Sequence, residues 1–210
     1  MNFPALNKVG SISLIVGSLL FSAYAALFPV LLPIGSGTVD YVQMVLNPNW
    51  VRLALVALIG ILLMLVGFYA VYQSVRVRSG VLGAIGFLFI EAAYLLQACK
   101  VTWELFLYPI IAAHPESAFL LGNAIIRNDP SVLVFRSVSS IVILSGIVLF
   151  CFTLYRSEEY PKAGAVLIFG GAMVYAISPL ISIFVSVGGI FTLAVGCLLI
   201  GQRLFRVKNT

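Results

Sequence analysis

Long apolar runs follow one another along the whole chain, each interrupted by only a few polar residues. A membrane-spanning helix needs about 20 predominantly apolar residues, and runs of this length favour helices over the alternating pattern of a transmembrane barrel. The runs predict six transmembrane helices, at residues 9–32, 48–74, 80–113, 130–155, 163–178 and 180–204. A tight connection at Pro179 joins the last two. The predicted fold is an all-α polytopic membrane bundle that forms one domain over residues 1–210.

Two of the predicted helices begin with the same local signal. Asn47 precedes Pro48 and Asp129 precedes Pro130. Each helix therefore has a side-chain acceptor at its cap and a proline at its first position, where no backbone donor is needed. Between the third and fourth helices, residues 116–128 are too apolar for a free loop and too few to span a membrane. They predict a short segment that lies in the membrane interface.

Basic residues collect at one set of predicted helix ends. They occur near the N-terminus, in the turn between helices 2 and 3, in the connection between helices 4 and 5, and in the tail: Lys8, Arg76, Arg78, Arg156, Lys162, Arg203, Arg206 and Lys208. Short loops rich in Lys and Arg stay in the cytoplasm. The six helices are therefore expected to form three hairpins with both termini in the cytoplasm.

Composition and charge support a lipid environment. Hydrophobic residues make up 62% of the 210 residues and charged residues 9%, and the mean hydropathy is +1.14. A water-soluble domain with a polar surface cannot be built from this composition. The net charge of +5 does not predict a nucleic-acid partner, because the basic residues lie where they set membrane orientation. Three cysteines fall within the predicted spans and match no disulfide, metal or redox spacing: Cys99, Cys151 and Cys197.

The third predicted helix carries the candidate chemistry. It holds four strongly polar residues: Glu91, Gln97, Lys100 and Glu104. An ionisable group well inside hydrocarbon costs roughly 2.5–3.5 kcal/mol on insertion scales, so such a group is normally paired, neutralised or used. At about 100° per residue, the last three and Tyr108 share one face of the helix, whereas Glu91 points elsewhere. The helix therefore offers two separate polar sites.

The first site is expected at the extracytoplasmic ends of helices 2, 3 and 4, where three cations accompany one carboxylate. A local excess of positive charge suits a lipid or a small anionic amphiphile. The predicted ligand-binding residues are Arg52, Lys100, Trp103, Glu104, Tyr108 and Arg136. In the alternative interpretation each cation extends to the outer headgroups, and Glu104 merely neutralises one of them.

The second site is Glu91 alone. A single carboxyl group near the membrane midplane is a proton-titrating candidate, because it can relay protons if it has no fixed partner. In the alternative interpretation Glu91 is neutral and bonded to a neighbouring hydroxyl or carbonyl group. The candidate hydroxyl partners are Tyr94, Ser139, Ser140, Ser145, Tyr175 and Ser178.

No recognisable catalytic motif accompanies these sites. The sequence has no HExxH, GxSxG or phosphate-binding glycine loop, and its one histidine, His114, cannot supply an ordinary metal site; no cofactor or metal is expected. The favoured function is non-enzymatic: ligand binding in an outer-leaflet cavity, or service as an accessory subunit of a membrane complex. Membrane lipids, a membrane-protein partner or a second copy are the expected partners. The alternatives are a small proton-linked carrier that uses Glu91 and an intramembrane lipid-modifying enzyme with Glu91 or Glu104 as acid or base.

The chain as a whole resembles a bacterial family. The six spans, the long outer connections, residues 47–69 with the basic turn after them, and GFLFIEAA in the glycine-rich third helix are similar to small six-helix integral membrane proteins catalogued only as a domain of unknown function. The resemblance covers most of residues 10–175 and is sharpest at Glu91-Ala92. Leu88 stands where similar sequences often have arginine. The resemblance therefore implies six-helix topology and a bacterial cytoplasmic (inner) membrane, but no activity.

Overall fold

The computed structural model describes residues 3–32, 40–123, 125–178 and 181–206, and this part of the chain is all-helical. The predicted connection at Pro179 lies outside the described residues. The helices are α1 (Phe3–Leu31), α2 (Tyr41–Leu46), α3 (Pro48–Thr102), α4 (Tyr108–Ala113), α5 (Pro115–Gly122), α6 (Ile125–Asn128), α7 (Pro130–Arg156), α8 (Lys162–Ile177) and α9 (Ile183–Arg206). A π-helical turn, Trp103–Leu107, joins α3 to α4.

Four helical stretches among the described residues are long and apolar enough to cross a membrane. They are Ala5–Leu31, Pro48–Ala113, Pro130–Arg156 and Ile183–Arg206. The apolar helix α8 has 16 residues and is shorter than these. The four stretches indicate an integral membrane protein, and the predicted all-α class is confirmed. Six crossings and a three-hairpin membrane topology stay predictions.

The 66-residue stretch Pro48–Ala113 turns back on itself at Gly80. Gly80 has φ 59° and ψ −157°, a conformation that essentially only glycine adopts. The first arm of α3 (residues 48–79) and its second arm (residues 81–102) consequently lie side by side. The Tyr72 and Phe87 rings stack across them with their centroids 4.3 Å apart.

The two predicted helix starts are confirmed. The Asn47 side chain accepts a hydrogen bond from the Asn49 N–H at 2.9 Å, with Pro48 at the first helical position. Asp129 accepts from the Ser131 N–H at 2.8 Å at the start of α7. In both cases the side-chain oxygen satisfies one of the backbone donors that a helix N-terminus leaves free.

The long helices form a closed ring in chain order. α1 packs on α3, the second arm of α3 packs on α7, α7 on α8, α8 on α9, and α9 returns to α1. The Ser11 hydroxyl closes the ring by donating to the Gly201 carbonyl at 2.7 Å. Inside the ring, the fully buried Phe68 contacts Tyr94 and Phe150 at centroid distances of 5.3 and 5.7 Å.

Glycines set how closely these helices approach. A Cβ on Gly67 would lie 2.7 Å from the Leu14 Cα, and one on Gly86 would lie 2.8 Å from the Phe150 nitrogen. Gly171 has the same role between α8 and α9. Small residues of this kind let membrane helices pack backbone against backbone, where dispersion contacts are densest.

The two ends of the ring differ, and we name them by their content. The capped end carries α2, α4, α5 and α6. The basic end carries the Gly80 turn, the 157–161 connection and the C-terminal end of α9. There Arg78 Nη1 lies 2.9 Å from Glu159 Oε1, and Arg203 Nε donates to the Glu159 carbonyl at 2.8 Å. The buried Tyr160 hydroxyl bonds to Ser74 Oγ at 2.5 Å, so this connection is fastened to both the first arm and α9.

Candidate functional site

A cavity of about 310 Å³ lies at the capped end. One wall is the end of the second arm with the π-helical turn, the opposite wall is the beginning of α7, and α5 and α6 cover it. Its polar lining consists of Tyr41, Lys100, Glu104, Tyr108 and Arg136. Its other lining residues are Trp103, Leu120, Leu121, Gly122, Ile126, Val132 and Phe135.

The π-helical turn precedes a proline, which leaves one backbone carbonyl without its usual donor. A tryptophan side chain supplies the missing hydrogen bond. The Tyr108 N–H donates to the Trp103 carbonyl, so the next N–H along the chain would reach the Glu104 carbonyl. Residue 109 is proline and has no N–H. The indole Nε1 of Trp50 donates to the Glu104 carbonyl instead, at 2.7 Å. This bond ties the first arm to the wall of the cavity.

Five of the six predicted ligand-binding residues line the cavity, and Arg52 does not. Arg52 is exposed, because it follows Trp50 by two residues and the helix turns through about 200° in that interval. Since Trp50 points toward the second arm, Arg52 points away from it. Of the three cations predicted around one carboxylate, two line the cavity: Lys100 and Arg136.

The charged groups of the cavity are unequally satisfied. Lys100 Nζ lies 3.6 Å from Glu104 Oε1, and the Glu104 side chain is only 14% exposed. Arg136, by contrast, has no described carboxylate within 4.0 Å, and its guanidinium forms no hydrogen bond with a described residue. Beyond the helical backbone bonds, its carbonyl accepts from the Ser140 hydroxyl at 2.8 Å. The guanidinium donors of Arg136 are therefore free for an anion.

Aromatic rings form the rest of the cavity wall. Trp103 packs on Phe135 across the two walls, with ring centroids 5.0 Å apart. On the other side the Tyr41 ring packs against the Tyr108 and Trp50 rings, with centroid distances of 6.2 and 5.8 Å. The cavity thus combines Arg136, a cation without a counter-ion among the described residues, with an apolar and aromatic surface. An anionic amphiphile has the complementary charge and a hydrocarbon surface to match.

Glu91 lies outside this cavity, deeper in the bundle. Its Oε1 is shielded from solvent and has no hydrogen-bond partner among the described residues. Three of its six candidate hydroxyl partners donate to carbonyl groups of their own helices instead: Ser139 to Phe135, Ser140 to Arg136 and Ser178 to Tyr175. Glu91 is therefore a carboxyl group without a fixed partner in the described structure.

Other candidate chemistry does not gather into a site. The described residues hold no group of three His, Cys, Asp or Glu side chains that could bind a metal ion. His114 Nδ1 lies 3.5 Å from Glu116 Oε1, and both side chains are mostly exposed. Cys151 and Cys197 are buried as free thiols, and Cys99 is exposed.

No family model matches this chain, and neither a characterised protein nor a solved structure matches it significantly. Its function must be inferred from its own side chains. Membership of the bacterial six-helix family stays a prediction.

Sequence reasoning missed the residues that other elements bring to the cavity. Tyr41 belongs to α2, a helix of six residues that no apolar run announces. Its signal was present in Asp40, whose side chain accepts from the N–H groups of Val42 and Gln43 as an N-cap does. Phe135 gave no signal, because only the packing of α7 on the second arm places it opposite Trp103.

Proposed function

We propose that the protein is a non-enzymatic membrane protein with six spans that binds an anionic amphiphile in the cavity at its capped end. Counting the two arms of α3 and the short α8 as separate crossings gives six. At about 1.5 Å per residue, α8 covers roughly 24 Å, close to the hydrocarbon thickness of about 30 Å. The basic end faces the cytoplasm, because Lys and Arg are retained on that side. The cavity then lies in the outer leaflet of a bacterial inner membrane.

The free guanidinium of Arg136 is the observation that supports this proposal most. The Arg136 side chain lines the cavity and is exposed overall, so its guanidinium N–H groups are accessible to an anion that enters the cavity. Lys100 already has Glu104 as a counter-ion, so one positive charge is left over. Arginine binds phosphate and carboxylate groups with two parallel hydrogen bonds. We assign the anionic headgroup of the ligand to Arg136, with Lys100 beside it.

The apolar part of the ligand has its own place. Trp103 is 37% exposed and lies at the edge of the cavity beside Phe135. The neighbouring Phe106 and Val134 are 63% and 62% exposed on the outer surface of the same two walls. A single acyl or prenyl chain can leave the cavity between these walls and lie against lipid. The ligand therefore enters sideways from the membrane, under the cover of α5 and α6.

Tryptophan fluorescence offers a selective test, because both tryptophans of the chain lie at the capped end. Detergent-solubilised protein is titrated with dodecyl phosphate, which is anionic, and with dodecylphosphocholine, which has the same chain and a zwitterionic headgroup. We expect dodecyl phosphate to bind at least about 10-fold more tightly, since a charge-assisted hydrogen bond is worth about 1.5–3 kcal/mol.

Two variants make this titration decisive. Arg136→Gln removes the free charge and should abolish the preference for dodecyl phosphate. Arg52→Gln removes an exposed charge outside the cavity and should leave the preference intact. Equal binding of the two amphiphiles by the wild type, or an unchanged preference in Arg136→Gln, would contradict the proposal.

A second candidate function, a proton-linked carrier, is favoured by the unpartnered Oε1 of Glu91. A carboxyl group without fixed partners inside a bundle can take up and release a proton during transport. Proteoliposomes that contain a pH-sensitive dye are exposed to a gradient of dodecyl phosphate, with protein-free vesicles as the baseline. A carrier predicts proton movement in the wild type and none in Glu91→Gln. Wild-type vesicles that match the protein-free baseline would exclude this function.

A further inference from the structure

A second cavity, of about 660 Å³, lies at the basic end, between the Gly80 turn and the last turns of α7. It is separate from the amphiphile cavity and has no part in the function proposed above. Its polar lining consists of Arg78, Ser79, Thr153, Arg156, Ser157 and Glu158. Two guanidinium groups from different helices thus face one space, at the end of the ring that carries most of the basic residues.

Two hydroxyl groups of this cavity are used within their own helices, Ser79 by the Arg76 carbonyl and Thr153 by the Leu149 carbonyl, but its other donors are available. Arg156 lies over the Phe152 ring at 5.5 Å and forms no ion pair with a described carboxylate. Ser157 Oγ accepts from the Glu159 N–H at 3.1 Å, so its own hydrogen remains available. Arg78 uses Nη1 for Glu159 and is 74% exposed, and its remaining N–H groups form no hydrogen bond with a described residue. These donors can surround one phosphate group, which accepts many hydrogen bonds.

The rim of the cavity toward the membrane is apolar. Leu82 on the second arm is 41% exposed and Phe152 on α7 is 47% exposed. Both line the cavity and also present carbon surface outward. Beyond them, Val81 is 77% exposed. A molecule with a charged group in the cavity and hydrocarbon chains along this rim would satisfy both surfaces at once.

The carboxylates near the cavity limit its affinity without closing it. Glu159 neutralises part of Arg78, and Glu158 lines the cavity without an ion-pair partner among the described residues. Glu158 is exposed, so water and salt screen its repulsion of an anion. Removing the charge of Glu158 should therefore strengthen anion binding. This variant should change the affinity in the direction opposite to that of the arginine variants.

We infer that this cavity binds the phosphodiester headgroup of an anionic glycerophospholipid. The phosphate lies between Arg78 and Arg156, the Ser157 hydroxyl donates to it, and the acyl chains follow Leu82 and Phe152. Basic pockets between membrane helices recognise anionic headgroups in this way. A zwitterionic lipid binds more weakly, because its positive group meets the two guanidinium groups.

Native mass spectrometry of the detergent-solubilised protein tests the site with phosphatidylglycerol and phosphatidylcholine of identical chains. All variants are made in an Arg136→Gln background, in which the capped-end cavity should no longer favour anionic over zwitterionic lipids. Binding there is then the same in every variant, and failure of the proposed function leaves this test intact. Each arginine near a membrane surface contributes about five-fold to anionic-lipid affinity. We expect Arg156→Gln to weaken phosphatidylglycerol binding by about five-fold and Arg78→Gln with Arg156→Gln by roughly 25-fold.

Three controls complete the experiment. Arg76→Gln removes an exposed arginine of the same end that pairs with Gln73 and does not line the cavity, and it should bind phosphatidylglycerol as the parent does. Glu158→Gln should bind it more tightly. Arg156→Lys, which keeps the charge but loses the two-pronged geometry, should fall between Arg156 and Arg156→Gln, and it replaces the latter if that variant does not fold.

Three results would overturn the inference. The first is equal binding of phosphatidylglycerol and phosphatidylcholine by the parent protein. The second is phosphatidylglycerol binding that Arg78→Gln with Arg156→Gln leaves unchanged. The third is displacement of phosphatidylglycerol by millimolar inorganic phosphate, which would identify the cavity as a site for soluble anions.

Discussion

The packing of the second arm of α3 against α7 differs between the two halves of the helical ring. Toward the basic end, Phe68, Phe150 and Leu154 are fully buried, and helix backbones touch through glycine. Toward the capped end, the same helices carry polar groups and hold a cavity. Helix α7 shows the contrast within one element: its buried residues lie between 146 and 154, apart from Ser139 in the capped half.

This difference separates structural support from recognition. A close-packed apolar region holds one arrangement of the helices, because any displacement loses many dispersion contacts. Polar groups that the fold leaves unsatisfied are costly in the free protein and gain partners when a ligand binds. We therefore expect changes in the close-packed interior of the basic half, away from the phospholipid cavity at its edge, to act on stability, and changes to the polar lining of the capped-end cavity to act on binding.

The largest effect is expected when one methyl group is added to the close-packed interior of the basic half. Gly67→Ala forces a Cβ within 2.7 Å of the Leu14 Cα. Overpacking of this kind should cost about 2–3 kcal/mol and lower Tm by roughly 5–10 °C. Thermal unfolding in detergent measures it.

Gly170→Ala is the matched control for Gly67→Ala. A Cβ on Gly170 meets nothing within 4 Å, so alanine should leave Tm unchanged or raise it through its better helix propensity. Equal effects at the two glycines would mean that close backbone packing does not stabilise the ring.

A smaller effect is expected where the capped half is tied to the first arm. Trp50→Phe removes the indole donor and leaves the Glu104 carbonyl without a hydrogen bond, since Pro109 cannot supply one. An unsatisfied carbonyl costs about 1–3 kcal/mol, and the wall of the cavity should loosen. Thermal unfolding gives the stability, and binding of dodecyl phosphate, measured by mass spectrometry, gives the affinity.

Trp103→Phe is the companion variant to Trp50→Phe. It keeps an aromatic ring against Phe135 and loses no indole hydrogen bond to a described residue, so stability should change by about 0.5 kcal/mol or less. If Trp103→Phe destabilised the protein as much as Trp50→Phe does, ring size rather than the repaired carbonyl would explain both results.

The smallest effect among the three main variants is expected at Tyr160, which lies at the basic end and outside the candidate membrane spans. Tyr160→Phe deletes the hydroxyl that bonds to Ser74, which should cost about 1 kcal/mol at pH 8. Burial raises the pKa of Tyr160, so the folded protein keeps this phenol neutral. The stability that neutral Tyr160 provides is therefore present below its unfolded pKa of about 10 and is lost as pH rises above it.

The pH dependence provides the check on Tyr160. The difference in Tm between wild type and Tyr160→Phe should narrow from pH 10 to pH 11. Tyr155→Phe, which alters an exposed tyrosine of the same end, should leave Tm close to the wild-type value throughout. A constant difference across this pH range would show that Tyr160 does not remain neutral in the folded state.

Local signals predicted well the features that depend on neighbouring residues. The caps at Asn47 and Asp129 were predictable because their partners lie two residues away. Lys100, Glu104 and Tyr108 were predictable as one stripe because helical periodicity alone places them on one face. The all-α membrane class followed from the length of the apolar runs.

Features that depend on packing between helices were not predictable in the same way. Arg52 was assigned to the cavity because it lies near the same end of its helix as the cavity. Trp50 bonds to the cavity wall, however, and Arg52, two residues later, therefore points away from it and is exposed. Ser139 and Ser140 were candidate hydroxyl partners of Glu91, yet each hydroxyl donates to the carbonyl four residues earlier, as serines within helices commonly do. Phe135 belongs to the site only because α7 packs against the second arm and places this ring beside Trp103.

An experimental density map of the wild-type protein, purified in nanodiscs of its own membrane lipid, tests the central claim most directly. The account predicts density for an anionic headgroup beside Arg136 and Lys100, with a chain that leaves between Trp103 and Phe135, and its absence in Arg136→Gln. A well-ordered cavity that contains only water in the wild type, with Arg136 turned to the outer solvent, would contradict it.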